Sequence, residues 1–398
     1  MSRAVIVDAV RSPMGRGKKT GALAELHPVD LLAQVLRALV DRNGIDPGRV
    51  DDVLVGCVSQ AGEQSATPGR QALLAAGFPV HVPSVTIERK CGSGQQAVEF
   101  AAAGIVAGLY DIAIAGGIES MSRVPMGSAR MGQDPFGPAV RERYPVLVPQ
   151  GVSAELVADK WRLSRPQLDE YSARSHERAA AARSAGVLAA EIVPVQVPGE
   201  AGTVTVMVTE DETIRPGTTV ERLAELAPAF GTDEFRARFP GLVWKVTAGN
   251  SSQITDGASA LLLMSEDTAA QLGLRPRARI LASSVIGDDP TLMLTGPIPA
   301  TQRVLDRSGL SIGAIDAFEV NEAFASVPLA WQAELGVPDH KLNPRGGAIA
   351  LGHPLGASGA RLMTTLVHHL EQSGGRLGLQ TMCEAGGMAN ATIIEVLS

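Results

Sequence analysis

Cysteine is scarce in this chain: Cys57, Cys91 and Cys383 are the only three in 398 residues. Their number is odd, they lie far apart and no Cys-x-x-Cys occurs. A disulfide framework and a cysteine zinc site are therefore not expected, no metal is expected, and a reducing compartment is indicated. Aromatic residues make up only 4% of the chain, too few to build stacking platforms for single-stranded nucleic acid. Basic charge is not in excess, with 35 Lys and Arg against 42 Asp and Glu. A net charge of −7 argues against nucleic acid or an anionic membrane surface as partner. No apolar run reaches membrane-spanning length, and the opening "MSRAVIVDAVRSP" passes straight into strand-like text without a basic segment and apolar signal core. A soluble cytoplasmic protein is expected. What the chain has is a 45% hydrophobic content, much of it small residues, and a length that suggests two to three domains at roughly 150 residues each.

It also has an internal repeat. "VDRNGIDPGRVDDVLVG" from Val40 aligns without gaps on "LDRSGLSIGAIDAFEVN" from Leu305, an offset of 265 residues. At the same offset Cys91-Gly-Ser-Gly94 falls on Gly356-Ala-Ser-Gly359, and "DIAIAGGIES" from Asp111 falls on "RLGLQTMCEA" from Arg376. Each copy reads as a helix stopped by glycine, a strand, a glycine-opened apolar helix and a second strand. This alternation predicts an α/β fold of two equivalent halves packed face to face, with the two glycine-opened helices central and buried. Cys91 stands where the second copy has Gly356, so the cysteine is an addition to a packing motif. At the mouth of a helix it is either a small packed hydrophobe or a thiolate held by the helix N-terminus.

Residues 121–249 lose the repeat and are rich in Arg, Pro and Gly. They include a helix expected to open at Ser164 and stop at Gly186. The organisation read from this pattern is 1–120 plus 250–272 as the first half, 121–249 as an inserted lobe, and 273–398 as the second half. Four stretches carry chemistry: Cys91 in "CGSG", "NEAFA" from Asn321, "GGAIALGHPLGASGAR" from Gly346, and "CEAGG" from Cys383. All fall at strand or helix ends, where α/β folds place their sites. Two thiols and an imidazole at one point predict a nucleophilic cysteine with His353 taking its proton, and a second cysteine moving a proton to or from carbon or sulfur. Asn321 and glycine-loop amides are suited to a developing oxyanion. The set fits a carbon–carbon bond made or broken beside a thioester. Glu322 is expected to order its loop, His368 and His369 to be structural, and Cys57 to be core.

From "RSP" at Arg11 to the C-terminus the chain resembles the thiolase family, the acetyl-CoA acyltransferases. The resemblance implies a five-layer αβαβα arrangement with an inserted loop lobe. It implies Cys91 as the acylated nucleophile, His353 as its activator and Cys383 as proton donor and acceptor. Asn321 would hold a water of one oxyanion hole, and backbone N–H groups of Cys91 and Ala385 would form the other. Arg215, Phe230 and Ser252 fall where thiolases contact coenzyme A. Coenzyme A and acyl-CoA, acetyl-CoA among them, enter as substrates, with no covalently bound cofactor, and a homodimer or homotetramer is implied. The expected reaction is cleavage of 3-ketoacyl-CoA by CoA to acyl-CoA and acetyl-CoA. Condensation of two acetyl-CoA molecules, a ketoacyl-carrier-protein synthase and a non-catalytic acyl-CoA or sterol carrier are the alternatives. Acetoacetyl-CoA-specific thiolases carry a His-Met pair before the lobe helix, where this chain has Pro149-Gln150. With "QAGEQSATPGRQA" from Gln60, that departure points to the degradative branch, in fatty-acid or steroid side-chain breakdown.

Overall fold

The computed structural model describes residues 3–199 and 205–397; residues 200–204, within the expected lobe, lie outside it. In chain order the strands are β1 (Ala4–Arg11), β2 (Gly15–Arg16), β3 (Asp52–Gly56), β4 (Ser84–Ile87), β5 (Ile112–Ser120), β6 (Val195–Val197), β7 (Val206–Val208), β8 (Thr255–Ser265), β9 (Ala278–Gly287), β10 (Ala317–Val320), β11 (Leu377–Glu384) and β12 (Met388–Val396). The helices are α1 (Pro28–Asn43), α2 (Pro68–Ala75), α3 (Ser93–Val106), α4 (Gly137–Arg143), α5 (Gln150–Lys160), α6 (Arg165–Ser184), α7 (Val220–Ala224), α8 (Asp233–Arg238), α9 (Glu266–Gln271), α10 (Pro297–Ser308), α11 (Ser326–Leu335), α12 (Ala348–Leu351) and α13 (Leu355–Ser373).

The repeat is visible strand for strand. β10 begins 265 residues after β3, and β11 begins 265 residues after β5. The preceding helices α1 and α10 both stop at a left-handed glycine, Gly44 and Gly309, a conformation that costs glycine nothing. Strand order is β10-β11-β12-β9-β1-β8-β5-β3-β4, with β2 added alongside β8. Within it β4, β3 and β5 run parallel, as do β10 and β11, while the other pairs are antiparallel. The two half-sheets are thus not separate. They join through two residue pairs between β1 and β9, Val5 with Arg279 and Ile6 with Ala278.

α1 and α2 cover one face of the first half-sheet, α10 covers the second half-sheet, and α3 and α13 lie between the two. β1 and β8, covered on both faces, are buried along their whole length, and β8 accordingly reads as a continuous apolar run, "ALLLM". The central helices approach closely because their crossing is made of glycine. A Cβ added at Gly94 would lie 2.7 Å from the Gly356 carbonyl oxygen, and one at Gly356 would lie 2.6 Å from Gly56 O. Both distances are inside van der Waals contact. Within the stretch expected to form a lobe, α6 is capped by Ser164 with a capping box to Gln167, and Gly186 follows its end with positive φ. Among the described residues no helix is long and apolar enough to cross a membrane.

Candidate active site

The C-terminal ends of the parallel strands of each half open toward the central helices. At one such end, Lys90 adopts a left-handed backbone (φ 48°), turning the chain sharply into α3, with Cys91 two residues before the helix. Ser93 holds this turn: its hydroxyl donates to Lys90 O at 2.6 Å and accepts from Arg89 N at 2.8 Å. Cys91 is buried against Met121, Leu355, Leu362 and Met382. Burial pushes its thiol up to about 12, and the nearby Glu384 carboxylate adds to this; its own backbone N–H and the Gln150 amide, donors that favour the thiolate, pull the other way. The resting nucleophile is therefore a neutral thiol, and it needs a base.

His353 supplies a neutral imidazole. Burial, aided by the Arg361 guanidinium, holds it down at about 3. Its backbone N–H is fixed by Thr255 Oγ1 at 3.0 Å and Gln253 O at 3.2 Å. Nδ1 lies 2.6 Å from Ser358 Oγ, and the same hydroxyl donates to Pro354 O at 2.8 Å. A hydroxyl has one proton, so with that proton on Pro354 O the ring Nδ1–H donates to Ser358, and Nε2 carries the lone pair. Nε2 is buried without a hydrogen-bond partner among the described residues.

Asn321 follows β10, and its N–H donates to Thr381 O on β11 at 3.0 Å. The parallel register, Val320 beside Thr381, brings Asn321 to the level of Met382 and Cys383. Both polar atoms of its side chain are buried without a protein partner among the described residues, so one donor and one acceptor stand ready for a water or an oxyanion. Glu322 accepts from Tyr171 Oη (2.9 Å), Ser175 Oγ (2.7 Å), Asn343 Nδ2 (3.0 Å) and Ile349 N (3.0 Å). Its acceptor capacity is spent on pinning the Asn321 loop. Cys383 is fully buried, and its thiol is pushed well above the ordinary range by burial and then by Cys91 and Glu384. Cys91 packs with Met382, the residue before Cys383, so the two thiols share one neighbourhood. Ala385 opens the turn Ala385–Gly387 between β11 and β12, where both glycines have positive φ.

The three residues expected to face coenzyme A border these same loops. Ser252 N donates to Ala323 O at 3.0 Å. Phe230 meets the ring of Phe324 edge-on at 5.8 Å. Arg215 Nη2 donates to Gln253 Oε1 at 3.0 Å, and Gln253 O in turn holds the His353 N–H. Cys57, His368 and Glu322 lie where packing puts them: Cys57 sits in the core of the first half, and His368 Nε2 faces Ala9 O at 3.1 Å.

Sequence reasoning missed three residues. Ser358 had a signal, because the repeat pairs it with Ser93, and both hold the turn that enters a central helix. Gln150 stands out in the sequence only as a departure from another motif; it opens α5, and its amide favours the Cys91 thiolate. Glu384 was hidden inside "CEAGG". Among the described residues no group of three or more His, Cys, Asp and Glu is gathered as a metal site.

Known proteins resemble the chain throughout. The family description "Thiolase, N-terminal domain" matches residues 4–267 and "Thiolase, C-terminal domain" matches residues 274–396. Steroid 3-ketoacyl-CoA thiolase FadA6 of Mycobacterium tuberculosis is 48% identical, over 100% of this chain and 95% of that protein. A beta-ketoadipyl-CoA thiolase of Pseudomonas aeruginosa is 46% identical, over 99% of this chain and 100% of its own. The crystal structure of the Bacillus anthracis acetyl-CoA acetyltransferase superposes with a TM-score of 0.89 at 38% identity, over 100% of this chain and 99% of that one. With both halves matched and relatives nearly half identical from end to end, the chain belongs to the thiolase family and is an acyltransferase.

Proposed function

We propose that the protein cleaves 3-ketoacyl-CoA with CoA, in a degradative pathway, through an acyl group carried on Cys91. The Cys91 sulfur attacks the 3-keto carbon while His353 Nε2 takes the thiol proton. The C2–C3 bond breaks, and the departing acetyl-CoA carbanion takes a proton from Cys383. CoA then gives its thiol proton to the Cys383 thiolate and attacks the acyl-cysteine, and Cys91 leaves as the thiol by recovering the proton from His353. Both oxygen anions need donors, from water on Asn321 and from the Cys91 and Ala385 N–H groups. Arg215, Phe230 and Ser252 contact the CoA moiety. The observation that carries this reading is the buried imidazole anchored at Nδ1, with a bare Nε2, two residues before Leu355, which packs with the buried Cys91. A neutral pair of weak acid and weak base avoids the cost of a buried ion pair before substrate arrives.

Relatives named for steroid 3-ketoacyl-CoA and for beta-ketoadipyl-CoA support the degradative direction, as does Pro149-Gln150 in place of His-Met. We further propose a cytoplasmic homo-oligomer, with residues 121–249 as its lobe and 1–120 plus 250–272 and 273–398 as its halves. β4 ends the sheet, Val85 on it is 43% exposed, and Phe100 on α3 is 48% exposed, an uncovered edge and apolar face of the kind subunits bury. Mass spectrometry after exposure to acetyl-CoA tests the mechanism. An acetyl adduct on the Cys91 peptide, absent in Cys91→Ala, is expected; an unmodified Cys91 peptide in folded protein rejects the reading.

A further inference from the structure

Glu384 follows Cys383, packs against the residue after Cys91 and has no role in the chemistry above. It follows Cys383 at the end of β11, and the alternation of the strand turns its side chain away from Cys383, toward the start of α3. There it packs on the residue after the nucleophile: a methyl group added at Gly92 would overlap Glu384 Oε1. The side chain is fully buried, and neither carboxyl oxygen has a hydrogen-bond partner among the described residues. Asn390 on β12, beside it, donates to Gly92 O at 3.3 Å and leaves its own Oδ1 unpaired among the described residues.

The surrounding charges do not support a carboxylate here. Arg89, from the turn before α3, acts on Glu384, but Glu99 on α3 and Glu88 in the turn act against it. Arg89 also serves Glu99, which accepts from Thr392 Oγ1 at 2.9 Å. Lys90 is engaged with Glu88 at 3.1 Å. An ionised Glu384 would thus bring a desolvated negative charge, without hydrogen bonds, next to two sulfurs that must each become negative during the reaction.

We propose that Glu384 is a positioning residue for both thiols, working as a neutral carboxylic acid whose ionisation withdraws thiolate character from Cys91 and Cys383 together. This rests on the reading of Cys91 and Cys383 as the reacting groups. Burial, the first cause, pushes the carboxyl up to about 8, so the change falls in an accessible range. Its charge also raises both thiols, and the effect is reciprocal.

The test is iodoacetamide alkylation of the Cys91 and Cys383 peptides, followed by mass spectrometry from pH 6 to 10, in wild type and in Glu384→Gln. The amide imitates the neutral acid. The two proteins are expected to alkylate alike near pH 6.5, and Glu384→Gln to alkylate faster at pH 9.5, on the order of fivefold at Cys91. Glu384→Met, neutral and of similar length, gives the same reading if the amide folds poorly. The wild-type curve is a third reading, expected to rise less steeply around pH 8 than on either side. Parallel curves in wild type and a folded neutral variant overturn the proposal, as does a wild-type curve of constant slope. Alkylation does not depend on turnover, so parallel curves alongside an acetylated Cys91 sink only the role of Glu384, whereas an unacetylated Cys91 sinks the thiolase reading itself.

Discussion

Ser358 Oγ lies 2.6 Å from His353 Nδ1 and gives its own proton to the Pro354 carbonyl at 2.8 Å. One hydroxyl on α13 thereby fixes the tautomer of a ring that precedes the helix. Ser358→Ala removes the acceptor for Nδ1–H and lets the ring rotate or adopt the other tautomer. Losing one net hydrogen bond from the attacking geometry is expected to slow acylation of Cys91 by roughly tenfold. Quenched-flow acetylation with acetyl-CoA measures this; a wild-type rate would mean that Ser358 only packs.

Cys383 is separated from solvent, and burial makes it a poor acid until a carbanion forms beside it. Cys383→Ser replaces the thiol with a hydroxyl that is far less acidic, so proton traffic at the acetyl carbon is expected to fall by about 100-fold or more. Acylation of Cys91 by acetyl-CoA should suffer less, because the departing CoA thiolate is a far weaker base than an acetyl carbanion and depends less on the proton from Cys383. Exchange of acetyl-CoA methyl protons with deuterated solvent separates the two steps. Exchange at the wild-type rate in the variant would remove Cys383 from the chemistry.

The crossing of α3 and α13 leaves no room at Gly94, where an added Cβ would lie 2.7 Å from Gly356 O and 2.9 Å from Ala360 N. Both neighbours are backbone and cannot turn aside. Gly94→Ala is expected to cost about 1–3 kcal/mol or more by overpacking, despite alanine's better helix propensity. A urea midpoint unchanged from wild type would show that the central layer slides freely.

Much of this was legible in the sequence because the repeat is written in residue types with strict conformational needs. Gly44 and Gly309 end equivalent helices, and Gly94, Gly356 and Gly359 mark the crossing, so a 265-residue offset placed the strands and both central helices. The helix expected within residues 121–249 opens at Ser164, as its cap implies. The join of β1 to β9 left no trace, since backbone pairing over two residue pairs is nearly indifferent to side chains. The contacts of Gln150 and Glu384 were equally silent: each joins the Cys91 loop to chain far away in sequence, and a single sequence does not register which distant side chains meet. The CoA-facing trio, Arg215, Phe230 and Ser252, came from resemblance alone. Their shared border with the Asn321 and His353 loops is a property of the fold.

Buried titratable groups set the pH range of stability. Burial raises Glu99, Glu319 and Glu384 to about 8 from 4.5, so above pH 4.5 the unfolded chain releases protons that the folded one keeps. Folded stability falls as pH rises toward 8. Burial also lowers His176, His353 and His369 from 6.5 to about 4, 3 and 4, so the unfolded chain binds protons below 6.5 that the folded one refuses, and stability falls as pH drops there. The two sets oppose each other between 4.5 and 6.5, whereas from 6.5 to 8 only the carboxyls act. Each contributes a loss of up to about 1.4 kcal/mol per pH unit in that window. The melting temperature is expected to be higher at pH 6.5 than at pH 8, with a smaller difference in Glu384→Gln. Equal melting temperatures at the two pH values would contradict this.

Gln150 is expected to influence how the acyl group is received. It is the first residue of α5, its side-chain amide favours the Cys91 thiolate, and Phe230 packs on the adjoining Gly151. The donor favours the thiolate, and a longer acyl chain on Cys91 is expected to displace it. Pro149, with its fixed backbone and no N–H, adds no further donor. The Gln150 side chain makes no hydrogen bond that would hold it in place among the described residues, so a substrate chain displaces it at the cost of its interaction with the sulfur, about 1 kcal/mol at most. Each methylene that then leaves water returns about 0.8 kcal/mol, so two buried methylenes already outweigh the loss. Much of this gain is uniform binding, which lowers KM more than it raises kcat. For the wild type, kcat/KM for thiolysis is expected to rise from acetoacetyl-CoA to medium-chain 3-ketoacyl-CoA. For Gln150→Ala the acetoacetyl-CoA value should fall roughly tenfold, through the lost donor, while medium chains lose less because no side chain has to be displaced. Steady-state thiolysis with C4 to C12 substrates measures both. An optimum at C4 that survives Gln150→Ala would place this protein among the acetoacetyl-CoA-specific enzymes and leave Gln150 without a part in selecting the acyl chain.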